Sequence, residues 1–432
     1  MRLVGRSEER SSGSRWRRFA FSGAAAATAA AATLSFAVSQ GGSASAAPSG
    51  PIKIGVIFPL SGPVGEGGIV NLHGVTIAVN QLNAAGGIAG RKVVLIPKDS
   101  PSPATAASNA TKLINATHVQ EIIGSVISTL ALAAAPVANR YKDIYWEVEA
   151  VANTLTTKGY KYLFRIPCDS NTLGSTAAQY AVQVIAKKLG ISPSKLRVGV
   201  ISVTGAYGSD TTHGVLTELK KFGIKPVATV SFSVTTTSLE PQILKLKQAR
   251  PDIVITTSYT TDASMFINES KQLGFHFKAL VGTGAGQTPA GFEKALGSKA
   301  DGILSSSFAY NVANSSLDAA AKVQNQKFIR AFKATYHVSP TIGAYLAYVG
   351  TEDLFTVMKK AGGPTPNAVR TAAFKVNLPL GSSINGWGLK FARTGQNILS
   401  PATVVQWQSK VLKVISPSRF ATGSLQTSSM AH

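Results

Sequence analysis

Residues 52–100 read IKIGVIFPLSGPVGEGGIVNLHGVTIAVNQLNAAGGIAGRKVVLIPKDS, and this stretch decides which class of fold the chain can adopt. Residues 52–58 are rich in β-branched side chains, and residues 92–99 form a second such run, so both are predicted strands. Between them, apolar residues recur at helical spacing over residues 68–87, and two glycines end the segment. A strand, a helix and a second strand in this order predict a βαβ unit and a parallel sheet.

The same alternation continues through the 432-residue chain in two separate series. The first series continues with predicted helices at 103–116 and 129–141 and strands at 119–125 and 143–150. The second series has predicted strands at 196–203, 224–233, 251–259 and 277–284, with helices at 211–223 and 261–274. Helices at 319–336 and 341–363 and short strands at 388–392 and 402–408 follow. Two series, each able to form its own sheet, predict an α/β protein with two doubly wound lobes.

Residues 1–46 differ in composition from the rest of the chain. Arg15, Arg17 and Arg18 precede an Ala-rich apolar run, and small residues follow that run. This order is typical of a secretory signal peptide, and the adjacent arginines resemble a twin-arginine signal. We therefore predict export to the periplasm or cell envelope, with an uncleaved membrane anchor as the alternative interpretation.

The sequence offers no set of residues that would support catalysis. No two of the six His have metal-ligand spacing, and neither a G-x-S-x-G nor a G-x-x-x-x-G-K-[ST] motif occurs. Cys168 is the one cysteine; no residue is indicated as its activating base, so we interpret it as a hinge or core thiol. We predict that the protein is not an enzyme and that it holds neither a metal nor a cofactor.

The chain is strongly basic, with 43 Lys and Arg residues against 20 Asp and Glu residues and a formal net charge of +23. The basic residues are spread along the chain, without runs of five or more and without interleaved aromatic residues. We interpret this charge as a solvated face rather than as a nucleic-acid-binding surface, and therefore expect no nucleic-acid partner.

Several motifs of residues 51–415 resemble those of periplasmic binding proteins of the branched-chain amino-acid and amide class. They are P-L-S-G after the first strand, N-x-x-G-G-I-x-G after the first helix, and then, in the family's order, EIIGSVIS, GYKYLFRIPCDSNTLG, GAYGSD, PDIVITTSY and PTIGAYLAY. The resemblance implies a type I clamshell, in which three crossings join two Rossmann-like lobes and a small solute binds in the cleft between them. It also implies that a membrane permease reads the closed form.

The resemblance also implies how the chain is divided between the lobes. Cys168 then lies at the first crossing. The implied segments are 51–168 plus 304–384 for lobe 1, 170–303 plus 385–415 for lobe 2, and a frayed polar tail over 416–432.

The family's ligand-binding positions carry over where its motifs hold. Ser128 and the backbone N–H of Thr129 match groups that hold a ligand carboxylate or amide oxygen. Tyr207 matches an aromatic residue of the second lobe that closes over the ligand, Tyr259 matches another cleft aromatic, and Tyr345 matches one that lines the side-chain pocket. For each Tyr, the alternative interpretation is core packing.

The chain departs from the family in two places. The family's amino-acid binders place a Glu near the position of Gly284, but no acidic residue occurs here from Val281 to Phe292. A bulky aromatic residue that is common in the first turn is replaced by the region of Gly67. Both departures argue against a standard leucine-like ligand.

The stretch YWEVEAVAN at residues 145–153 aligns with the family's ligand loop and contains two carboxylates. If the segment stays extended, Glu147 and Glu149 lie on one face, because alternate strand residues share a face. Buried carboxylates are costly unless a cation, an N–H donor or a proton compensates them. One interpretation is that at least one of the two carboxylates, foremost Glu149, receives a cationic or N–H-rich ligand group, so Glu147, Glu149 and Ala150 are all predicted ligand-binding residues of this loop. The alternative is a salt bridge to a protein cation: Arg140, Lys142 or Arg165.

These observations together predict an extracytoplasmic solute-binding component of an ABC importer. We expect its solute to be small and amino-acid-like or amide-like, its partners to be ABC permease subunits, and the protein itself to be a monomer. The alternative is a ligand-sensing module on the same fold that signals to a membrane receptor.

Overall fold

The structure of the protein is a computed structural model that describes residues 50–427 and residue 430. The predicted signal peptide, residues 1–46, lies outside this range. Among the residues described, no helix is both long and apolar enough to cross a membrane. The first strand begins at Ile52, where the sequence predicts it.

Five strands form the first sheet. They are β1 (Ile52–Phe58), β2 (Val93–Asp99), β3 (Glu121–Gly124), β4 (Ile144–Glu147) and β5 (Leu163–Arg165). Their spatial order is β2-β1-β3-β4-β5, and every neighbouring pair is parallel. All residues of β1 except Lys53 are buried, as expected for a strand of a parallel sheet whose faces are covered by helices.

Four helices connect these strands. They are α1 (Gly65–Ala84), α2 (Pro103–Thr117), α3 (Ser128–Tyr141) and the short α4 (Thr154–Thr157). The start of α2 illustrates the local signals, because Ser102 accepts a hydrogen bond from the backbone N–H of Thr105 and Pro103 occupies the first turn. Helix α1 begins directly after the P-L-S-G turn, so its first residues lie at the carboxyl end of β1.

Seven strands form the second sheet. They are β6 (Val198–Val203), β7 (Ala228–Phe232), β8 (Ile253–Thr257), β9 (Ala279–Thr283), β10 (Leu304–Phe308), β11 (Ala402–Gln408) and β12 (Val411–Ser416). Their order is β12-β11-β10-β9-β8-β6-β7, and β11 is antiparallel to both of its neighbours while the other pairs are parallel. The associated helices are α5 (Ser170–Tyr180), α6 (Ala206–Lys221), α7 (Glu240–Ala249), α8 (Thr260–Gln272) and α9 (Ala290–Leu296).

Three later helices pack against the first sheet's helices although they follow β10 in the chain. They are α10 (Ala319–Tyr336), α11 (Ile342–Ala361) and α12 (Pro366–Lys375). Helix α11 packs along α1, and α12 packs along α11. We call the five-stranded sheet with α1–α4 and α10–α12 lobe 1, and the seven-stranded sheet with α5–α9 lobe 2. The predicted α/β fold with two doubly wound lobes is confirmed.

The chain crosses between the lobes three times, after β5, after β10 and after α12. Cys168 lies in the first crossing, where it is buried and where burial raises the pKa of its thiol. The predicted lobe boundary before residue 304 is wrong, because Leu304 pairs with Val281 of β9 and with Gln406 of β11. Strand β10 therefore belongs to lobe 2, and the second crossing follows it.

Two further predictions near the carboxyl end differ from the structure. Residues 388–392, a predicted strand, form only isolated bridges because they belong to the third crossing and not to a sheet. The described part of the polar tail at 416–432 is not frayed. Gln406 of β11 donates a hydrogen bond of 2.8 Å to the carbonyl of Gln426, and Phe420 is buried. The described part of the tail thus packs against the second sheet.

Candidate functional site

A cavity of about 380 Å³ lies between the lobes, and we call it the interlobe cavity. Its lobe 1 wall includes residues between 63 and 71 after β1, Val126 after β3 and Glu149 after β4. Its lobe 2 wall includes Tyr259 after β8 and Ala285 after β9. Each wall is thus built at the carboxyl ends of parallel strands, which is where open α/β sheets bind ligands.

Glu149 places a carboxylate in this cavity. The side-chain amide of Asn71 donates to Glu149 Oε2 at 2.6 Å and to the carbonyl of Gly67 at 2.9 Å, so it orients the carboxylate. Among the described residues, Oε1 of Glu149 receives no hydrogen bond. Burial raises the pKa of Glu149 to about 7, and the hydrogen bond from Asn71 opposes that rise. The carboxylate is therefore positioned, costly to ionise and available to a ligand.

Glu147 has a different role, because its carboxylate binds backbone groups of its own wall. Oε1 accepts hydrogen bonds from the N–H groups of Glu149 at 2.9 Å and Ala150 at 2.7 Å. Oε2 accepts one from the N–H of Ser125 at 2.6 Å. The side chain is fully buried, and burial raises its pKa to about 8 although these three hydrogen bonds oppose the rise. Glu147 thus holds the loops after β3 and β4 together.

The segment does not stay extended beyond Glu147, so the condition under which both carboxylates would share a face is not met, and the prediction of Glu147 as a ligand-binding residue is wrong. Strand β4 ends at Glu147, and the chain then bends so that Glu149 alone lines the interlobe cavity. The salt-bridge interpretation is also wrong for the described chain, in which neither carboxylate forms an ion pair. Arg165, one of the proposed partners, instead donates to the Ala152 carbonyl at 2.6 Å and to Gln396 Oε1 at 2.6 Å.

Ser128 and Thr129 begin helix α3 at the same edge. Ser128 is buried and lines a narrow extension of about 20 Å³ that shares Glu149 and Tyr259 with the interlobe cavity. Its hydroxyl oxygen accepts a hydrogen bond of 3.1 Å from the N–H of Ala152, so its own hydrogen is free to donate. Thr129 is exposed and faces Gly205 of lobe 2, because a Cβ added to that glycine would lie 3.8 Å from Thr129 Cγ2.

Two tyrosines of lobe 2 meet at the extension. The rings of Tyr207 and Tyr259 have centroids 5.5 Å apart, and both residues line this space. The hydroxyl of Tyr207 donates to the Thr283 carbonyl at 2.5 Å and accepts from the Ala285 N–H at 3.3 Å. Tyr207 is therefore fixed to the loop after β9, whereas Tyr259 also faces the larger cavity.

Gly284 lies next to the Tyr207 hydroxyl and Leu173. Its φ of +101° lies in the left-handed region, and a Cβ there would lie 3.5 Å from the Tyr207 hydroxyl and 3.4 Å from Leu173. Its N–H donates to Ser305 Oγ at 3.1 Å. Ala285, and not Gly284, lines the interlobe cavity. The loop after β9 has no acidic residue, so the part of the cavity wall that it forms carries no charge.

Tyr345 does not line the interlobe cavity. It packs in the core instead, as the alternative interpretation of the sequence expects. Its hydroxyl donates to Asn325 Oδ1 at 3.0 Å, and its ring packs edge-on against Tyr310 and Phe328. The part of α11 that reaches the cavity is its start, where residues 341–343 line the wall. The prediction that Tyr345 lines the ligand pocket is therefore not supported by its position, because the helix turns that side chain into lobe 1.

Two polar residues of this wall were missed by the sequence reasoning. Glu66, in the first turn of α1, lines the cavity and reaches lobe 2, since a Cβ on Gly291 would lie 3.3 Å from its Oε2. Asn71 lies on α1 and has a buried Oδ1 without a partner in the described chain. The available signal in the sequence was that Glu66 is the one acidic residue of the Gly-rich turn SGPVGEGG. The described lining contains two carboxylates and neither Lys, Arg nor His.

A comparison with known protein families identifies the family to which this chain belongs. The sequence profile of the periplasmic binding proteins matches residues 51–411. The chain belongs to this family. It is accordingly a solute-binding protein of an exported family and not an enzyme.

Curated relatives and solved structures agree with this assignment. The Leu/Ile/Val-binding protein homolog 8 of Brucella abortus (strain 2308) is 28% identical over 377 residues, which cover 87% of this chain and 93% of the relative. Homolog 7 of the same strain is 29% identical over 394 residues, which cover 91% and 98%. The fold matches that of the isoleucine complex of the substrate-binding protein LivJ from Streptococcus pneumoniae str. Canada MDR_19A. The TM-score is 0.71 at 24% identity, and the match covers 85% of this chain and 100% of LivJ.

Proposed function

We propose that this protein is the extracytoplasmic solute-binding component of an ABC importer and that it captures a small amino-acid-like or amide-like solute in the interlobe cavity. The observation that carries the proposal is the position of Glu149, which lines a cavity whose described residues include no basic side chain. A buried carboxylate in such a place is compensated best by a cationic or N–H-rich group of the solute.

The opposite end of such a solute would be held at the start of α3. Ser128 has a hydroxyl hydrogen to donate, because its oxygen already accepts from Ala152. The N–H of Thr129 lies in the first turn of a 14-residue helix, where backbone donors have no intrahelical partner and attract anionic or carbonyl oxygens. A carboxylate or amide oxygen of the solute fits these donors, and an amine fits Glu149.

Solute capture would favour the closed form of the two lobes. The acceptors lie on lobe 1 and the aromatic residues Tyr207 and Tyr259 lie on lobe 2, so a solute that touches both walls stabilises their approach. We propose that permease subunits read this closed form and that the protein acts as an exported monomer. The LivJ structure supports the partner by analogy, since that protein is described as a branched-chain amino acid transporter substrate-binding protein.

A thermal-shift panel of amino acids, amides, urea, polyamines and aromatic acids tests the proposal. We expect stabilisation by solutes that carry an amine or several N–H groups, because these compensate Glu149. The variant Glu149→Gln should lose most of this stabilisation, whereas the exposed Glu240→Gln, the same chemical change on α7, should keep it. A well-folded protein that no small solute stabilises would contradict the solute-binding proposal.

A further inference from the structure

A second cavity, of about 260 Å³, lies between two helices of lobe 1 and the third crossing, and we call it the lateral cavity. Helix α10 lines it from Ala320 to Gln324, α11 lines it from Tyr348 to Thr356, and residues 378–384 of the third crossing complete it. The two cavities share no lining residue. The lateral cavity is therefore a separate feature that the proposed solute binding does not use.

Two carboxylates, Glu352 and Asp353, line the lateral cavity from successive positions of α11. Asp353 is only 5% exposed, and its Oδ2 is buried without a hydrogen-bond partner. Within the described chain, neither side chain forms an ion pair, and neither carboxylate receives a hydrogen bond. The hydroxyl of Ser382, which lines the same cavity, is also buried without a partner.

The charge of the lateral cavity is uncompensated by its own lining. The described lining contains no Lys, Arg or His, and the basic residue that acts on Glu352 is Lys359, an exposed residue two helical turns further along α11. A buried carboxylate without a partner is costly, so it either takes up a proton or pairs with a cation. The unpartnered Asp353 and Ser382 thus point to an occupant that supplies N–H donors and positive charge.

The walls of the cavity indicate what kind of cation fits. Apolar side chains from all three segments, including Ala321, Val349 and Ile384, line the cavity beside its polar groups. The described residues contain no group of three or more His, Cys, Asp or Glu that could hold a metal ion. A volume of about 260 Å³ also exceeds what a bare ion needs and approaches the size of small-molecule pockets. An organic cation with a short hydrocarbon chain matches these walls better than a metal ion does.

We propose that the lateral cavity binds a small aliphatic amine, whose ammonium group contacts Glu352 and Asp353 and whose hydrocarbon part packs on the apolar walls. The Ser382 hydroxyl accepts a further N–H of the ammonium. The site is open to solvent at its rim, because Ala320 is exposed and Ser382 and Ser383 are partly exposed. An amine can therefore enter without opening the lobes.

Isothermal titration of the full chain with 1,4-diaminobutane at pH 8 and low salt tests the site. This pH lies above the pKa of Glu352, which burial raises to about 7, so Glu352 is ionised; burial and the charge of Glu352 also raise the pKa of Asp353, so the ammonium group has to displace the proton of Asp353 when it binds. We expect a binding event that survives in Glu149→Gln but is weakened at least tenfold in Asp353→Asn and in Glu352→Gln. Survival in Glu149→Gln together with the loss in Asp353→Asn and Glu352→Gln assigns the event to the lateral cavity even if the interlobe cavity also binds amines.

A steric variant keeps the test valid if Asp353→Asn fails to fold. Ala320→Phe fills the rim from an exposed position and leaves both carboxylates in place, so it should block the amine while the thermal stability stays unchanged. A diamine affinity that neither Ala320→Phe nor Glu352→Gln changes would overturn the proposal. Binding of Ca²⁺ or Mg²⁺ at this site without any binding of the diamine would overturn it as well.

Discussion

The two walls of the interlobe cavity differ in their chemistry. Lobe 1 contributes Glu66, Asn71 and Glu149, which are two carboxylates and an amide, whereas the lining residues of lobe 2 carry no charge. Lobe 2 instead contributes aromatic surface through Tyr259 and, in the narrow extension, Tyr207. In the proposed function, lobe 1 would select the solute by the N–H groups that it carries, and lobe 2 would cover the solute on closure.

The lobe 1 wall depends on Glu147 for its shape, so we expect the largest effect there. At pH 9, where Glu147 is ionised because the pH exceeds its raised pKa of about 8, Glu147→Gln replaces an acceptor oxygen with an NH₂ group that faces backbone N–H donors of Ser125, Glu149 or Ala150. The free energy of unfolding should fall by about 3 kcal/mol, as expected for buried donors left unsatisfied. Urea unfolding measures it, with Glu240→Gln as the exposed control. A loss no greater than that of the control would show that the wall does not need this carboxylate.

Glu149 should govern affinity rather than stability. In Glu149→Gln the solute loses a charge-assisted hydrogen bond, so its affinity should fall about 10-fold to 100-fold, which corresponds to about 1.5–3 kcal/mol. The stability of the free protein should not decrease, because the buried charge that burial penalises is removed. Calorimetric titration and urea unfolding of the same variant separate the two effects. Unchanged affinity would contradict the proposal that the lobe 1 wall makes the main polar contact with the solute.

The pH dependence of binding follows from the pKa of Glu149, which burial raises to about 7. An ammonium group needs the ionised carboxylate, so affinity should be about tenfold lower at pH 6 than at pH 8 and level off above pH 7. The stability of the free protein should change in the opposite direction. A carboxyl group whose pKa is raised on folding stabilises the fold most at low pH, and that contribution is lost as pH rises towards 7. Titrations across pH 5.5–8 should lose their pH dependence in Glu149→Gln.

Tyr207→Phe probes the lobe 2 wall. It removes the hydroxyl that donates to Thr283 and accepts from Ala285, so we expect a loss of about 1 kcal/mol in the free energy of unfolding. Solute affinity should fall less than in Glu149→Gln, because this hydroxyl is satisfied by its own lobe. A larger loss of affinity than in Glu149→Gln would reverse the proposed roles of the two walls.

Glu66→Gln should have the smallest effect. Glu66 is exposed, and solvent screens its charge, so we expect an affinity change of at most about threefold, equivalent to well below 1 kcal/mol. Repeating the titration at higher salt should remove most of that change. An effect as large as that of Glu149→Gln, and insensitive to salt, would place the main cationic contact on α1.

The sequence predicts long and strongly patterned elements well. The predicted bounds of β1, α10 and β11 match the structure residue for residue. Strand β5 was missed because it has only three residues, and β10 because the serines of LSSSF interrupt its apolar pattern. The boundary before residue 304 was wrong for the same reason.

The candidate site was predictable in part. The sequence singled out Glu147 and Glu149 as carboxylates in the ligand loop. The side chain of Glu147, however, accepts a hydrogen bond from the N–H of Ser125, which is distant in the chain. Periodicity within the loop therefore could not predict that Glu147 turns back. The position of Tyr345 depends on how α11 is rotated against its neighbours, and Asn71 reaches Glu149 only through tertiary packing.

Mass spectrometry of the solute released from natively purified protein tests the central claim most directly. The structure places an oriented carboxylate, and no basic side chain among the described lining residues, in the interlobe cavity. We therefore predict a small released solute with a protonated amine or several N–H groups, which rebinds to the wild type and binds weakly to Glu149→Gln. Release of a purely anionic solute without N–H donors, which rebinds equally to both proteins, would contradict the account.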